Sequence, residues 1–179
     1  MNGQLEGHKR WTVPLSLALS FLANDGEELL TIVPSLPETL DRVSERTAGR
    51  VPIPGLLRDI DQIHINVGVA MMGALCAAAV ADGVRSRGRG ALYQDFQWVF
   101  GLHGLSHIGA SLVTKGYTTG VLSSPTVVLP QFAYVMRALD QAQVPHRIHP
   151  VRAISRVAGW LAVSHLTGYI VSRGRRTAR

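Results

Sequence analysis

Residues 21–30 read Phe-Leu-Ala-Asn-Asp-Gly-Glu-Glu-Leu-Leu, which sets Asp25, Glu27 and Glu28 inside an otherwise apolar run. Apolar sequence lies on both sides, Trp11–Ala23 before and Leu29–Val33 after. In a helix surrounded by water such carboxylates form a polar face. In a helix surrounded by lipid, each central carboxylate costs about 2.5–3.5 kcal/mol, so a pair costs about 5–7 kcal/mol. That cost persists only where a cation, a metal or a proton path offsets it. The nearest chemical match is the stretch Leu102–His107, whose two histidines, His103 and His107, are four residues apart and share one helix face. The chain is expected to bring these two stretches together.

Composition favours lipid around such a helix. The 179 residues suffice for one domain, and the whole chain, 1–179, is read as a single helical membrane domain with loose tails at 1–10 and 173–179. Charged residues make up 17%, below the share of about 25% usual for soluble domains. Glycine and alanine are abundant, which suits close helix packing in a bilayer. The net charge is +6, but arginines cluster in short hinges and at the C-terminus rather than along one helix face. That is membrane-flanking charge, so nucleic acid is not expected as a partner. Lys and Arg fall about equally at the two ends of the expected spans, so the positive-inside count sets no orientation. The single cysteine, Cys76, rules out an internal disulfide and a thiolate metal site. Lys9-Arg10 ahead of Trp11–Ala23 resembles the start of a signal sequence, but the apolar pattern resumes after the acidic residues, which favours an uncleaved first helix.

Five helices and no strand are predicted. The first covers Trp11–Val33 and stops at Pro34 and Pro37. Leu36, Leu40 and Val43 then recur at helical spacing among charged residues, which predicts a short amphipathic helix at the membrane surface. Val51–Gly55 is a proline-rich hinge. The second helix covers Asp61–Ala81, and its centre, Val67–Val80, is the clearest spanning segment. The third covers Leu92–Val113 and is the most polar. The fourth covers Gly120–Leu139, with a kink from Pro125 and Pro130. The fifth covers Ile154–Val171. The fold class is therefore all-α, a five-helix transmembrane bundle with an interfacial helix after the first span, in a multi-pass cell-membrane protein. A soluble all-α bundle is the alternative.

Carboxylates and imidazoles together suit iron, manganese or zinc. Glu27 and Glu28 diverge by about 100° on a helix, so they either flank a two-ion site or divide into ligand and base. Asn24 lies one turn before Glu28 on the same face. Gly101, Gly104 and Gly109 leave the third helix open to close approach. The expected set is Glu27, Glu28, His103 and His107 around one or two divalent cations, with Glu27 and Glu28 as the catalytic groups. The competing reading places Glu27 and Glu28 in water at the end of a shorter first helix. His64 and His165 are expected to pack or to support ligands, Asp95 to face a helix N-terminus, and His146 and His149 to be solvated.

The chain resembles the HXXEE-domain family of small membrane proteins. The family shows His-x-x-Glu-Glu in its first helix, and the matching stretch here is Asn24-Asp25-Gly26-Glu27-Glu28, with Asn24 at the histidine position. The family also has a histidine in a later helix, matched by His107, often with Asn four residues earlier, where His103 stands. A following Tyr-x-Pro-Gly-x-x-Thr motif corresponds to Tyr117–Ser123, with Thr119 for proline and Ser123 for threonine. The resemblance covers about Trp11 to Leu139. It implies a metal-dependent activity.

The functional expectation is a metal-dependent membrane enzyme, a hydrolase or an oxidoreductase, acting on a membrane lipid or an apolar small molecule. The alternatives are a cation- or proton-conducting transporter and a non-catalytic membrane protein whose polar groups pair with one another.

Overall fold

Pro34 and Pro37 do not stop the first helix. In the computed structural model, which describes residues 3–177, helix α1 runs unbroken from Lys9 to Arg46. A proline inside a helix removes one amide donor and crowds the preceding turn, at about 3 kcal/mol. Contacts from other elements hold the helix through this region. Gln62 Nε2 donates to the Leu29 carbonyl at 2.9 Å, and the Thr31 and Thr119 hydroxyls meet at 2.8 Å. Arg42 donates to the Tyr117 carbonyl. The expected surface helix is thus the last part of α1. Leu40 is buried, while Asp41, Glu45 and Arg46 are exposed, as an amphipathic segment requires.

The remaining helices follow the prediction more closely. A 3₁₀ turn, Gly55–Leu57, follows the hinge, and α2 covers Gln62–Arg85. Asp61 caps α2 by accepting from the His64 amide at 2.9 Å. Helix α3 covers Ala91–Thr114 and ends at Lys115, whose φ of 49° places it in the left-handed region. The kink expected near Pro125 and Pro130 is a π turn, Ser124–Val128, that runs directly into α4, Leu129–Gln141. Each proline lacks the amide that would close the regular ladder, and the wider π turn absorbs the loss. Helix α5 covers Pro150–Thr177 and is longer at both ends than predicted. The described residues contain no strand.

Helix α2 runs antiparallel to α1 and to α5. Arg10 near the start of α1 reaches the Val84 carbonyl near the end of α2, and Ser172 and Arg176 of α5 bind Asp61 at the start of α2. The core joins Val13, Leu17 and Phe21 of α1 to Cys76 and Ala79 of α2 and to Phe96 and Phe100 of α3. Cys76 is a buried free thiol. Leu5 is fully buried and its amide donates to the Arg87 carbonyl, so the expected loose leader is docked from that point. The C-terminal tail is helical through Thr177; residues 1–2 and 178–179, also read as loose, lie outside the described residues. Close approach needs glycine at two places on α3: a Cβ on Gly101 would stand 2.8 Å from the Phe132 ring, and one on Gly104 would stand 2.8 Å from Val128. Gly109 faces open space instead.

One helix among the described residues, α2, is long and apolar enough to cross a membrane. The fold shown is an all-α bundle of five helices; five spans are not.

Candidate metal centre

Two faces of α1 carry opposite chemistry. Val13, Leu17, Phe21, Asn24, Asp25 and Glu28 are buried, whereas Trp11, Leu15, Leu19 and Leu22 are exposed. Each set recurs at three- and four-residue spacing, which is one helical face. The polar part of the buried face meets α3.

There Glu28, His103 and His107 converge. Glu28 Oε1 lies 3.0 Å from His103 Nε2 and 2.8 Å from His107 Nε2, and the two Nε2 atoms are 2.8 Å apart. The i,i+4 spacing stacks the imidazoles on one side of α3, as anticipated, and the rings stand edge to face at 4.2 Å between centroids. Asn24, one turn before Glu28, donates through Nδ2 to the same oxygen at 2.8 Å. An imidazole whose Nε2 carries no proton presents a lone pair there. With both rings in that form, three lone pairs point at one another, an arrangement that a bound cation would stabilise. This donor set, one carboxylate and two imidazoles, fits zinc, iron or manganese.

Glu27, expected as a ligand beside Glu28, does not reach this cluster. The 100° between adjacent helical residues turns it toward the Tyr117–Ser123 loop. Its carboxylate accepts from the Tyr117 hydroxyl at 2.8 Å, from the Leu122 amide at 3.3 Å, and from the Ser123 amide and hydroxyl at 2.8 and 2.6 Å. Those bonds give the loop its shape. Gly120 within it adopts φ +75°, and a Cβ there would stand 2.7 Å from the His107 ring. The glycine therefore lets the loop close over the imidazole. Ser123 also links the two motif positions, since its hydroxyl lies 3.1 Å from Asn24 Oδ1.

The cluster opens onto a cavity of about 210 Å³ between α1, α2, α3 and α5. Its walls are apolar, with Phe21, Phe96 and Phe100 on one side and Val157 and Leu161 on another. Asp25, Glu28, His103 and His165 supply its polar lining. Sequence reading placed Asp25 in the acidic stretch without giving it a role. The signal was available: Asp25 and Glu28 are three apart and share a face.

The other singled-out residues lie outside the triangle. His64 Nε2 and His165 Nδ1 meet at 2.9 Å and join α2 to α5. Asp95 is fully buried and bound by Arg152 at 2.8 and 2.9 Å and by Arg156 at 2.9 Å. It is an ion-pair centre between α3 and α5, beyond the helix-terminus role expected. His146 is exposed and pairs with Asp140 at 2.6 Å. His149, just before α5, is exposed as well, as expected of both.

A family model described as a protein of unknown function with an HXXEE motif matches residues 15–135. The chain belongs to this family. The match takes in α1, α2, α3 and the first part of α4, so all three members of the Glu28, His103 and His107 triangle fall within the family region, as does the loop that Glu27 holds. Helix α5, which closes the cavity and binds Asp95, lies outside it. No curated protein and no solved structure matches the chain.

Proposed function

We propose that this HXXEE-family chain is an integral membrane protein that holds a divalent cation between Glu28, His103 and His107 and acts with it on an apolar molecule in the adjoining cavity. The observation that carries the reading is the triangle of Oε1 and two Nε2 atoms, all within 3.0 Å, at the polar end of an apolar chamber.

The membrane setting draws on two features. The apolar window of α2 has a mean hydropathy of 1.8 yet is only 33% buried, whereas the core helix of a soluble protein is mostly buried. The exposed stripe on α1 continues to Leu30, at 78% exposure, and α3 and α5 carry their own exposed leucines and isoleucines, among them Leu105, Leu112, Leu166 and Ile170. Apolar surface of that extent marks contact with lipid or a partner.

Within this site the residues divide their work. Asn24 fixes the Glu28 carboxylate, and Glu27 holds the loop that packs Gly120 against His107. The aromatic wall keeps water away from the chamber, which strengthens every electrostatic contact in it. A divalent ion bound there supplies Lewis acidity or an activated water.

Elemental analysis of protein purified without chelator tests the metal. One divalent ion per chain is expected, with loss of that ion in Glu28→Gln and in His107→Ala and no further harm in the double variant. Wild-type protein without stoichiometric metal sinks this reading. Cation flux in metal-free liposomes would favour a conducting role for the same residues. Alkaline carbonate extraction tests the membrane setting; intact protein released to the supernatant contradicts it.

A further inference from the structure

Gly68 sits in the wall of the cavity, two turns into α2, and is buried. A mid-helix glycine costs about 1 kcal/mol against alanine and is normally explained by close packing. Gly83 and Gly168 show that explanation at work: an added Cβ would stand 2.7 Å from the Tyr93 ring in one case and 2.6 Å from the His64 carbonyl in the other. Gly68 has no such neighbour, and a Cβ there meets nothing within 4 Å. What its missing side chain leaves is the chamber itself.

Asp25 is the second observation. Its residue is only 8% exposed and it lines the same chamber, yet no described side chain or amide donates to it in a well-formed hydrogen bond. The neighbouring Asn24 amide gives its one well-formed bond to Glu28. A carboxyl group so placed calls for a hydrogen-bonding partner from whatever occupies the chamber.

We propose that the chamber binds a single-chain neutral amphiphile with a terminal hydroxyl, a medium-chain alkanol or the hydroxyl end of a longer lipid. This names the molecule class for the site described above and rests on that reading for the polar cluster. A hydroxyl offers both a proton for Asp25 and lone pairs for a cation at the Glu28–His103–His107 triangle. A carboxylate headgroup offers no proton and meets Glu28 as a like charge, and an alkane offers neither a proton nor a lone pair. The volume sets the chain. A dry cavity of about 150 Å³ holds benzene, which scales to about eight carbons here. Ile154 and Leu161, both lining the chamber and both exposed, mark where a longer tail leaves it beside α5.

The test is equilibrium binding of radiolabelled 1-octanol to the full-length protein in lipid nanodiscs, corrected for empty nanodiscs. Saturable binding of about one octanol per chain is expected, displaced by 1-decanol but not by octanoate or octane at equal concentration. Gly68→Leu should remove saturable binding, and Asp25→Leu should weaken it about tenfold. Ala158→Phe approaches from the α5 wall and should also remove it, which keeps the test valid if Gly68→Leu fails to fold. Binding unchanged in folded Gly68→Leu or Ala158→Phe, or octanoate competing as well as decanol, overturns the proposal. Elemental analysis of the same preparations separates the two readings. Octanol bound without metal upholds this inference and removes the metal; metal bound without octanol removes this inference alone.

Discussion

Two buried carboxylates on facing sides of the bundle have opposite kinds of partner. Asp95 is held by two arginines, one of them bidentate, and needs nothing further. Glu28 is held by two imidazoles and one amide, none of which carries a permanent charge. The guanidinium stays protonated at any pH a protein survives, whereas the imidazole exchanges its proton for a metal. Asp95 therefore reads as a finished structural joint between α3 and α5, and Glu28 as the group that the proposed cation would complete. The Glu28 cluster, unlike Asp95, borders the cavity.

The largest effect expected from this contrast is on bound metal. Glu28→Gln should abolish it, while Asp95→Asn should leave it in place and lower the thermal midpoint by several degrees through the unpaired Arg152 and Arg156. Metal lost equally from both variants would erase the distinction. Acidification should sharpen it. Ligating imidazoles must be unprotonated, so bound metal should leave as pH falls. Metal content followed against pH, with helicity measured in parallel, checks that the ion leaves before the fold does.

A smaller effect separates adjacent residues. Glu27→Ala removes the acceptor of the Tyr117, Leu122 and Ser123 bonds and should cost about 1–3 kcal/mol of stability. Its metal stoichiometry should stay near wild type, because Glu28 alone faces the histidines. Denaturant unfolding beside elemental analysis reads both.

The smallest effect concerns Asp61, a carboxylate outside the apolar segments. Burial opposes its charge, but the Ser172 hydroxyl, the His64 amide and Arg176 outweigh that and hold its pKa at about 2. The value lies below the ordinary figure of about 3.9, so its contribution is complete above about pH 4 and fades as pH falls toward 2. Asp61→Ala should cost about 1 kcal/mol as a lost helix cap, measured as a shift of the unfolding midpoint near neutral pH. Near pH 2 the variant and the wild type should converge.

Local periodicity and spacing in the sequence determined the all-α class, the approximate limits of α2 and α3, the pairing of His103 with His107, and the shared face of Asn24 and Glu28. All of these follow from 3.6 residues per turn and from residues close along the chain. Tertiary structure decided the rest. Pro34 and Pro37 read as a helix stop, yet α1 passes through them because Gln62, Thr119 and Tyr117 supply contacts from elsewhere in the chain. Glu27 and Glu28 were indistinguishable as ligands, since both are carboxylates in one apolar run. The rotational setting of α1 against α3 turned one to the imidazoles and the other to the Ser123 loop. Asp95 found Arg152 and Arg156 only through the docking of α5, and the chamber beside Asp25 exists only once four helices enclose it. Which residues share a helix face is written in the chain itself; which neighbour that face meets depends on the packing of the whole bundle.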